Sequence, residues 1–358
     1  MNQKKLSKSE SEFLSYLRSL AIFVIVFGHV GGFWVYRPYS EFLHVFVPVF
    51  FFISGAVSFF SYNRSVTTIS YYKKRFIGLL VPYYLLCALS LLVFIVTKQE
   101  FPTFSIVNIL KWIQIRPSND MMPFPVGQVW FLHTLFIITS ISPIYFRIYN
   151  KSVHVIYALL FFIVCISVTP LFFNISKYVY IWGNNLYRPL IHSGFYVFGM
   201  LAFSSVSFNR KNILIFILLI GILLSVATVY LLNLDIDYAF HTFYPDLYYV
   251  SGSFAAISLM LLSKNMLLYC VTKILILKSI FNFFYKHTFS IYLLHSFGIF
   301  ISESVFGLVD PDKKTITYGL AKLIVVLLIT CLLSIPYTKL SGRISAMFLP
   351  RAKIQQIT

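Results

Sequence analysis

Leu17-Arg18-Ser19-Leu20-Ala21-Ile22-Phe23-Val24-Ile25-Val26-Phe27-Gly28-His29 is an apolar run with a guanidinium near one end and an imidazole at the other. The apolar stretch around it, 14–34, is long enough to cross a bilayer as a helix. Arg18 and His29 are 11 residues apart. At 100° per residue that is about 1100°, within roughly 20° of three full turns, so both project from one face about 16 Å apart along the axis. Ionisable groups inside a span are costly and mark a functional site by default. A snorkelling arginine and a histidine that bonds a neighbouring helix are the plainer account of the same pair.

Working outward, the rest of the chain has the same character. Of its 358 residues 59% are hydrophobic and 11% charged. An ordinary soluble domain carries roughly 45–50% and about 25%. The net charge of +18 is scattered between apolar runs rather than gathered on a polar face, which argues against nucleic-acid binding. The four cysteines, Cys87, Cys165, Cys270 and Cys331, form no CxxC or Cys/His cluster, so neither a disulfide framework nor a metal site is expected. Ten spans are read, at 14–34, 42–60, 76–97, 128–146, 153–173, 186–205, 212–232, 246–263, 287–306 and 318–338. The expected fold is an all-α integral membrane protein, a bundle of about ten transmembrane helices forming one domain over 1–358.

Charge orients the bundle. With ten spans and the N-terminus inside, cytoplasmic segments hold 19 Lys/Arg and two acids, and outer segments hold nine of each. That is a positive-inside pattern, with both termini cytoplasmic. It leaves 1–13 as a leader, 339–358 as a tail and 265–284, interrupted by Lys273 and Lys278, as an interfacial helix. A spanning 265–284 would make eleven spans and move the C-terminus across. The longest outer connection, 98–127, carries Pro102, Pro117, Pro123 and Pro125.

Further candidates follow from position. Tyr71-Tyr72-Lys73-Lys74-Arg75 opens the third span on the cytoplasmic side. Its cations suit the phosphates of an anionic donor, Arg75 by a bidentate fork and Lys73 and Lys74 as point charges; a topology anchor is the plainer account of the two lysines. Phe50-Phe51-Phe52-Ile53-Ser54-Gly55 puts a small pair in mid-span, which favours close helix packing. Trp130 and His133 open the fourth span, Tyr292 and His295 lie deep in the ninth, and His44 is read just inside the second.

In their order and spacing these residues resemble the membrane-bound acyltransferase-3 family. The fragments are Arg-x10-His (Arg18, His29), Phe-Phe-Ile-Ser-Gly (Phe51 to Gly55), the basic opening followed by Pro-Tyr (Arg75, Pro82, Tyr83), Trp-Phe-Leu (Trp130 to Leu132), Phe-x3-Gly-Met (Phe195, Gly199, Met200) and Tyr-Leu-Leu-His (Tyr292 to His295). The Gly-x2-Ser-Tyr that precedes the last His-bearing stretch in the family is replaced here by Tyr285, Thr288 and Phe289.

The resemblance implies transfer of an acyl group, usually acetyl, from cytoplasmic acyl-CoA to a hydroxyl of a cell-envelope glycan or its lipid-linked precursor, in a bacterial plasma membrane. Acetyl-CoA is then a substrate, and no tightly bound cofactor is implied. His29 would be the catalytic residue, with Arg18, Arg75, Lys74 and Lys73 toward the donor. Trp130, His133, His44, Tyr292, His295 and Ser54 would lie on the acceptor side or behind the catalytic groups. The competing reading from the spans is a transporter or flippase of a glycan or lipid intermediate, whose mark would be inverted repeats or paired broken helices; no internal repeat is evident.

Overall fold

The computed structural model describes residues 5–31, 39–98, 106–115, 129–175, 178–181, 184–204, 211–308 and 316–349. The four outer-loop prolines, Lys4, Arg37, Lys313, Lys314 and the last nine residues of the expected tail lie outside them.

The described residues are helical nearly throughout. A capping box starts α1 (Lys8–His29): the Ser7 hydroxyl accepts from the Glu10 amide, and the Glu10 carboxylate accepts from the Ser7 amide. The helix stops at His29 because Gly31 takes a left-handed φ of 86°, so the helical part of the first span is shorter than 14–34. A 3-10 turn at Tyr39–Val45 precedes α2 (Phe46–Asn63). Next come α3 (Thr68–Lys98), the short α4 (Ile106–Ile113), α5 (Val129–Lys151), α6 (Val153–Ile166), α7 (Thr169–Phe172), α8 (Tyr187–Ser204) and α9 (Lys211–Leu232). The chain closes with α10 (Leu247–Leu262), α11 (Lys264–Lys273), α12 (Leu275–Ser304) and α13 (Ile316–Phe348).

Seven segments of the described chain are long and apolar enough to cross a membrane: α1, α2 with its leading turn, α3, α5, α6 with α7, α9 and α13. The bent pair α10–α11 makes an eighth. The remaining two of the ten expected spans fall on α8 and α12, which are more polar; α8 is buried almost throughout and α12 chiefly from Phe284 to Ser302. Fifteen of the eighteen residues of α8 are buried. In α9 only Leu214, Gly221 and Thr228 are, a heptad-spaced seam against α10 where Ser225 and Ser251 share a hydrogen bond of 2.8 Å. A helix bathed in lipid must be apolar all round, whereas one shielded by other helices can carry polar groups.

The centre of the bundle is the crossing of α2 and α8. A Cβ on Gly55 would stand 1.8 Å from the Tyr196 carbonyl oxygen, and one on Gly199 would stand 1.8 Å from that of Phe52. The two backbones therefore touch at reciprocal glycines, as small residues permit in membrane helices. Phe51, Phe52, Phe195 and Phe198 are fully buried around the crossing.

Two sequence expectations change at the C-terminal end. Segment 265–284 is not one interfacial helix: α11 turns 56° away from α10, and α12 begins at Leu275, so the ninth span gains about three turns at its start. Lys273 and Lys278 interrupt the apolar pattern because a helix break lies between them, at Ile274. Segment 339–358 is not simply a tail, since α13 continues to Phe348. His44 lies in the 3-10 turn before α2, where its Nδ1 is 3.2 Å from the buried carboxylate of Glu41.

Contacts settle the parity. Tyr16 packs on Phe281, Phe23 on Phe284 and His29 on His295, so α1 and α12 run parallel. Then α13 returns antiparallel to α12, with Lys322 on Glu303 at 2.8 Å and Thr338 on Ser290 at 2.7 Å. A parallel α12 requires an odd number of crossings between α1 and it, seven in the ten-span reading, whereas a spanning 265–284 would make eight, which excludes the eleven-span alternative. The start of α1 and the end of α13 thus share one face.

At the opposite face the loop before α10 forms a polar clamp. His241 Nδ1 donates to Asp246 Oδ2 at 2.5 Å and Nε2 meets the Asp235 carbonyl at 2.9 Å, while Asp246 also caps α10 through the Tyr249 amide. Burial works to lower the His241 pKa, but the Asp246 carboxylate and the Asp235 carbonyl outweigh it and leave it raised. Both ring nitrogens face acceptors, which favours the cation. A raised folded-state value means that this stabilisation is complete below about pH 6.5 and is lost as pH climbs through the raised value.

Two outcomes are expected. Gly55→Ala or Gly199→Ala, which drives a methyl into backbone, destabilises the purified protein by roughly 3 kcal/mol or prevents its accumulation; wild-type melting for both variants would contradict the crossing. His241→Asn lowers the melting temperature more at about pH 6 than at about pH 9, and an equal loss at both pH values would remove the clamp's charge from the account.

Candidate active site: a histidine pair between α1 and α12

The parallel helices α1 and α12 bring two polar residues of each into register. Near the face shared by the start of α1 and the end of α13, the Arg18 guanidinium lies 5.7 Å from the centre of the Tyr285 ring. Beside it, Ser19 Oγ donates to the Phe281 carbonyl at 2.6 Å. Toward the far end, His29 Nδ1 lies 3.0 Å from His295 Nε2, with 18° between the ring planes. The 11-residue stripe of α1 thus meets a 10-residue stripe of α12.

Hydrogen bonding orders the protons of this pair. His295 Nδ1 lies 2.6 Å from the Tyr292 carbonyl oxygen, which can only accept. Nδ1 of His295 therefore carries a proton, and in the neutral ring its Nε2 is an acceptor. His29 Nδ1 must then donate to it, which leaves His29 Nε2 as a bare lone pair. His295 is buried and His29 exposed, so the inner ring is fixed within its helix and the outer one presents a base to open space. Chemically the pair is an oriented general base, or equally a nucleophile.

Charge gathers below it. Arg18 and Arg75 act on one another electrostatically. Arg75 Nε is buried without a hydrogen-bond partner among the described residues, and its guanidinium stands 5.8 Å from the Tyr71 ring. Tyr71 is held in turn by Ser142 at 2.8 Å. Lys73 and Lys74 are exposed. The basic cluster is therefore divided, one arginine turned into the bundle beside Arg18 and two lysines turned out.

The other predicted residues distribute as follows. Tyr292 is buried beside His295, and its ring also meets Phe131 at 5.3 Å. Trp130 lies on α5 under the Arg188 guanidinium at 4.5 Å. His133 is buried one turn along α5, and Ser54 is half-buried next to the Gly55 crossing. His44 belongs to the turn that packs on the 238–241 region, where Phe42 meets Tyr238 at 5.3 Å.

Two residues were missed by the sequence reading. His192 on α8 is fully buried, flat against Phe51 at 4.5 Å, and Arg188 one turn before it had counted only as an outer-loop charge. Their i, i+4 spacing at the start of a span was the available signal, of the same kind that singled out Arg18 and His29.

No curated protein and no solved structure matches the chain. A family model described as an acyltransferase domain, that of acyltransferase-3, matches residues 11–335. That match includes α1 from its second turn, the histidine pair and Arg75, together with every helix between them. The chain belongs to the acyltransferase-3 family.

Proposed function

We propose that this membrane acyltransferase moves an acyl group, acetyl in the simplest case, from cytoplasmic acyl-CoA to a hydroxyl of a cell-envelope glycan or its lipid-linked precursor. The observation that carries the reading is the Tyr292–His295–His29 hydrogen-bond chain, which leaves one accessible imidazole nitrogen unprotonated. Arg18 and Arg75, converging near the face assigned to the cytoplasm by the charge pattern, suit the phosphates of the donor. The pantetheine arm then runs outward along the α1 stripe and carries the thioester toward His29.

In direct transfer, His29 Nε2 takes the proton of the acceptor hydroxyl as the oxygen attacks the thioester carbonyl. The C–S bond breaks, and the CoA thiolate leaves and is protonated. In the two-step form His29 Nε2 attacks the thioester carbonyl first and the C–S bond breaks with departure of the CoA thiolate. The sugar oxygen then attacks the acyl-imidazole, the C–N bond breaks, and the hydroxyl proton returns the imidazole to its starting state. Release of acetate from acetyl-CoA without any acceptor marks the second form.

The test compares acetyl content of the host's envelope glycan, and acetyl-CoA turnover by purified protein, across wild type, a deletion and His29→Ala. His29→Ala at wild-type membrane levels is expected to lose activity by 10²–10⁴-fold; acetylation equal to wild type would sink the mechanism. His295 acts through His29 as a positioning residue. His295→Ala is expected to lower kcat with little change in KM for acetyl-CoA, and His295→Gln, whose amide oxygen can still accept from His29 Nδ1, to recover part of it. Equal losses in the two variants would reduce His295 to packing.

A further inference from the structure

Arg188 opens α8 with its guanidinium 4.5 Å from the centre of the Trp130 ring and 4.1 Å from that of Phe243, and its Nε donates to the Phe243 carbonyl at 3.0 Å. The group is held between two aromatic faces with Nε engaged, so the two Nη nitrogens are left as its available donors. Among the described residues no carboxylate pairs with it. One turn deeper, His192 is completely buried, and neither ring nitrogen has a hydrogen-bond partner among the described residues. Trp130 and Tyr249 complete its walls at 6.1 and 6.2 Å. An unsatisfied buried polar group is costly, and an apolar ring would suit those walls better. An unpaired arginine fork above an unpaired imidazole is the arrangement expected of a place that receives an oxyanion.

The cluster lies at the end of the bundle that holds the histidine pair. Phe243 follows the 238–241 turn on which the turn after α1 packs. A wall of rings leads inward: Phe51 against His192, Phe131 against Phe51 at 4.7 Å, and Tyr292 against Phe131. Tyr292 is the residue whose carbonyl orients His295.

We infer that Arg188 and His192 bind an oxyanion of the acceptor, so that the acceptor is an acidic glycan carrying a carboxylate or a phosphate. Arg188 clamps the anion through its Nη donors, the neutral His192 ring supplies one N–H from beneath, and Trp130 and Phe243 hold the guanidinium flat. The inference rests on the acyltransferase reading above and deepens it by naming the acceptor's chemical class.

The test uses the full chain in lipid nanodiscs with three probes, glucuronate, inorganic pyrophosphate and glucose, and reads binding by calorimetry. One of the two anions is expected to bind at least tenfold more tightly than glucose. Arg188→Gln should remove that advantage, and Arg188→Lys, a charge without a fork, should restore part of it. His192→Phe, which suits the aromatic surroundings and serves where Arg188→Gln fails to fold, should also weaken anion binding tenfold or more. Preference for glucuronate identifies a carboxylate-bearing sugar, and preference for pyrophosphate a phosphorylated or lipid-linked one. Equal binding of all three probes, or anion binding indifferent to both variants, overturns the inference. Acetyl-CoA-dependent transfer, measured separately, keeps the two readings apart. Transfer to a neutral glycan that Arg188→Gln leaves unchanged refutes the acidic acceptor and leaves the acyltransferase standing. Anion binding that needs Arg188 in a protein that transfers no acyl group does the reverse.

Discussion

Inter-helix polar contacts within a bilayer contribute only about 0.6–2 kcal/mol each, so their effect is to select a register rather than to supply bulk stability. The His29–His295 hydrogen bond and the Arg18–Tyr285 contact select one register between α1 and α12, and only with the two helices parallel. Connectivity has to accommodate that direction. The break at Ile274 and the 56° bend between α10 and α11 reposition the chain without adding a crossing, so that α12 departs from the same face as α1. Much of the topology can be understood as serving two helices that meet from opposite ends of the sequence.

What could be read from the residues tracks how locally each feature is determined. The stripe of Arg18 and His29 follows from helix periodicity alone, and the contacts of both with α12 bear out that they share a face. The small pair Ser54-Gly55 was legible as a packing site because glycine in mid-span has few other uses, and the α2–α8 crossing lies there. The direction of Arg75 into the bundle, with Lys73 and Lys74 turned out, follows from its place at the edge of the apolar run. The start of α12 was not legible: Lys273 and Lys278 lower hydropathy in the same way whether a helix lies on the membrane or begins ahead of it. Which histidine would face His29 was equally beyond reach, because that pairing is a tertiary contact across 266 positions.

Two of the helices that carry the proposed sites, α8 and α12, are also less like membrane spans in composition than the rest. Histidines of α8 and of α12 beyond Phe284 are sheltered by neighbours, while α9 and the α6–α7 span present leucine, isoleucine and phenylalanine outward. His192 was overlooked for this reason: within a segment read simply as one more span, a buried polar residue carries no mark of what surrounds it. Seen along the bundle, cations stand at both ends of the route that the substrates are proposed to share, Arg18 with Arg75 at one and Arg188 at the other, with the imidazole pair nearer the second.

The glycine crossing has a consequence for aim. Arg188, His192, Phe195 and Gly199 follow one another at intervals of four, three and four residues, so they lie along a single line on α8. Contact of Gly199 with the Phe52 carbonyl works as a bearing for the helix: it admits neither rotation about the axis nor sliding along it without collision. Arg188, eleven residues and about 16 Å away, points toward Trp130 because of a side chain that is absent elsewhere. A sighting line of this kind lets residues that touch no ligand decide where those that do are directed.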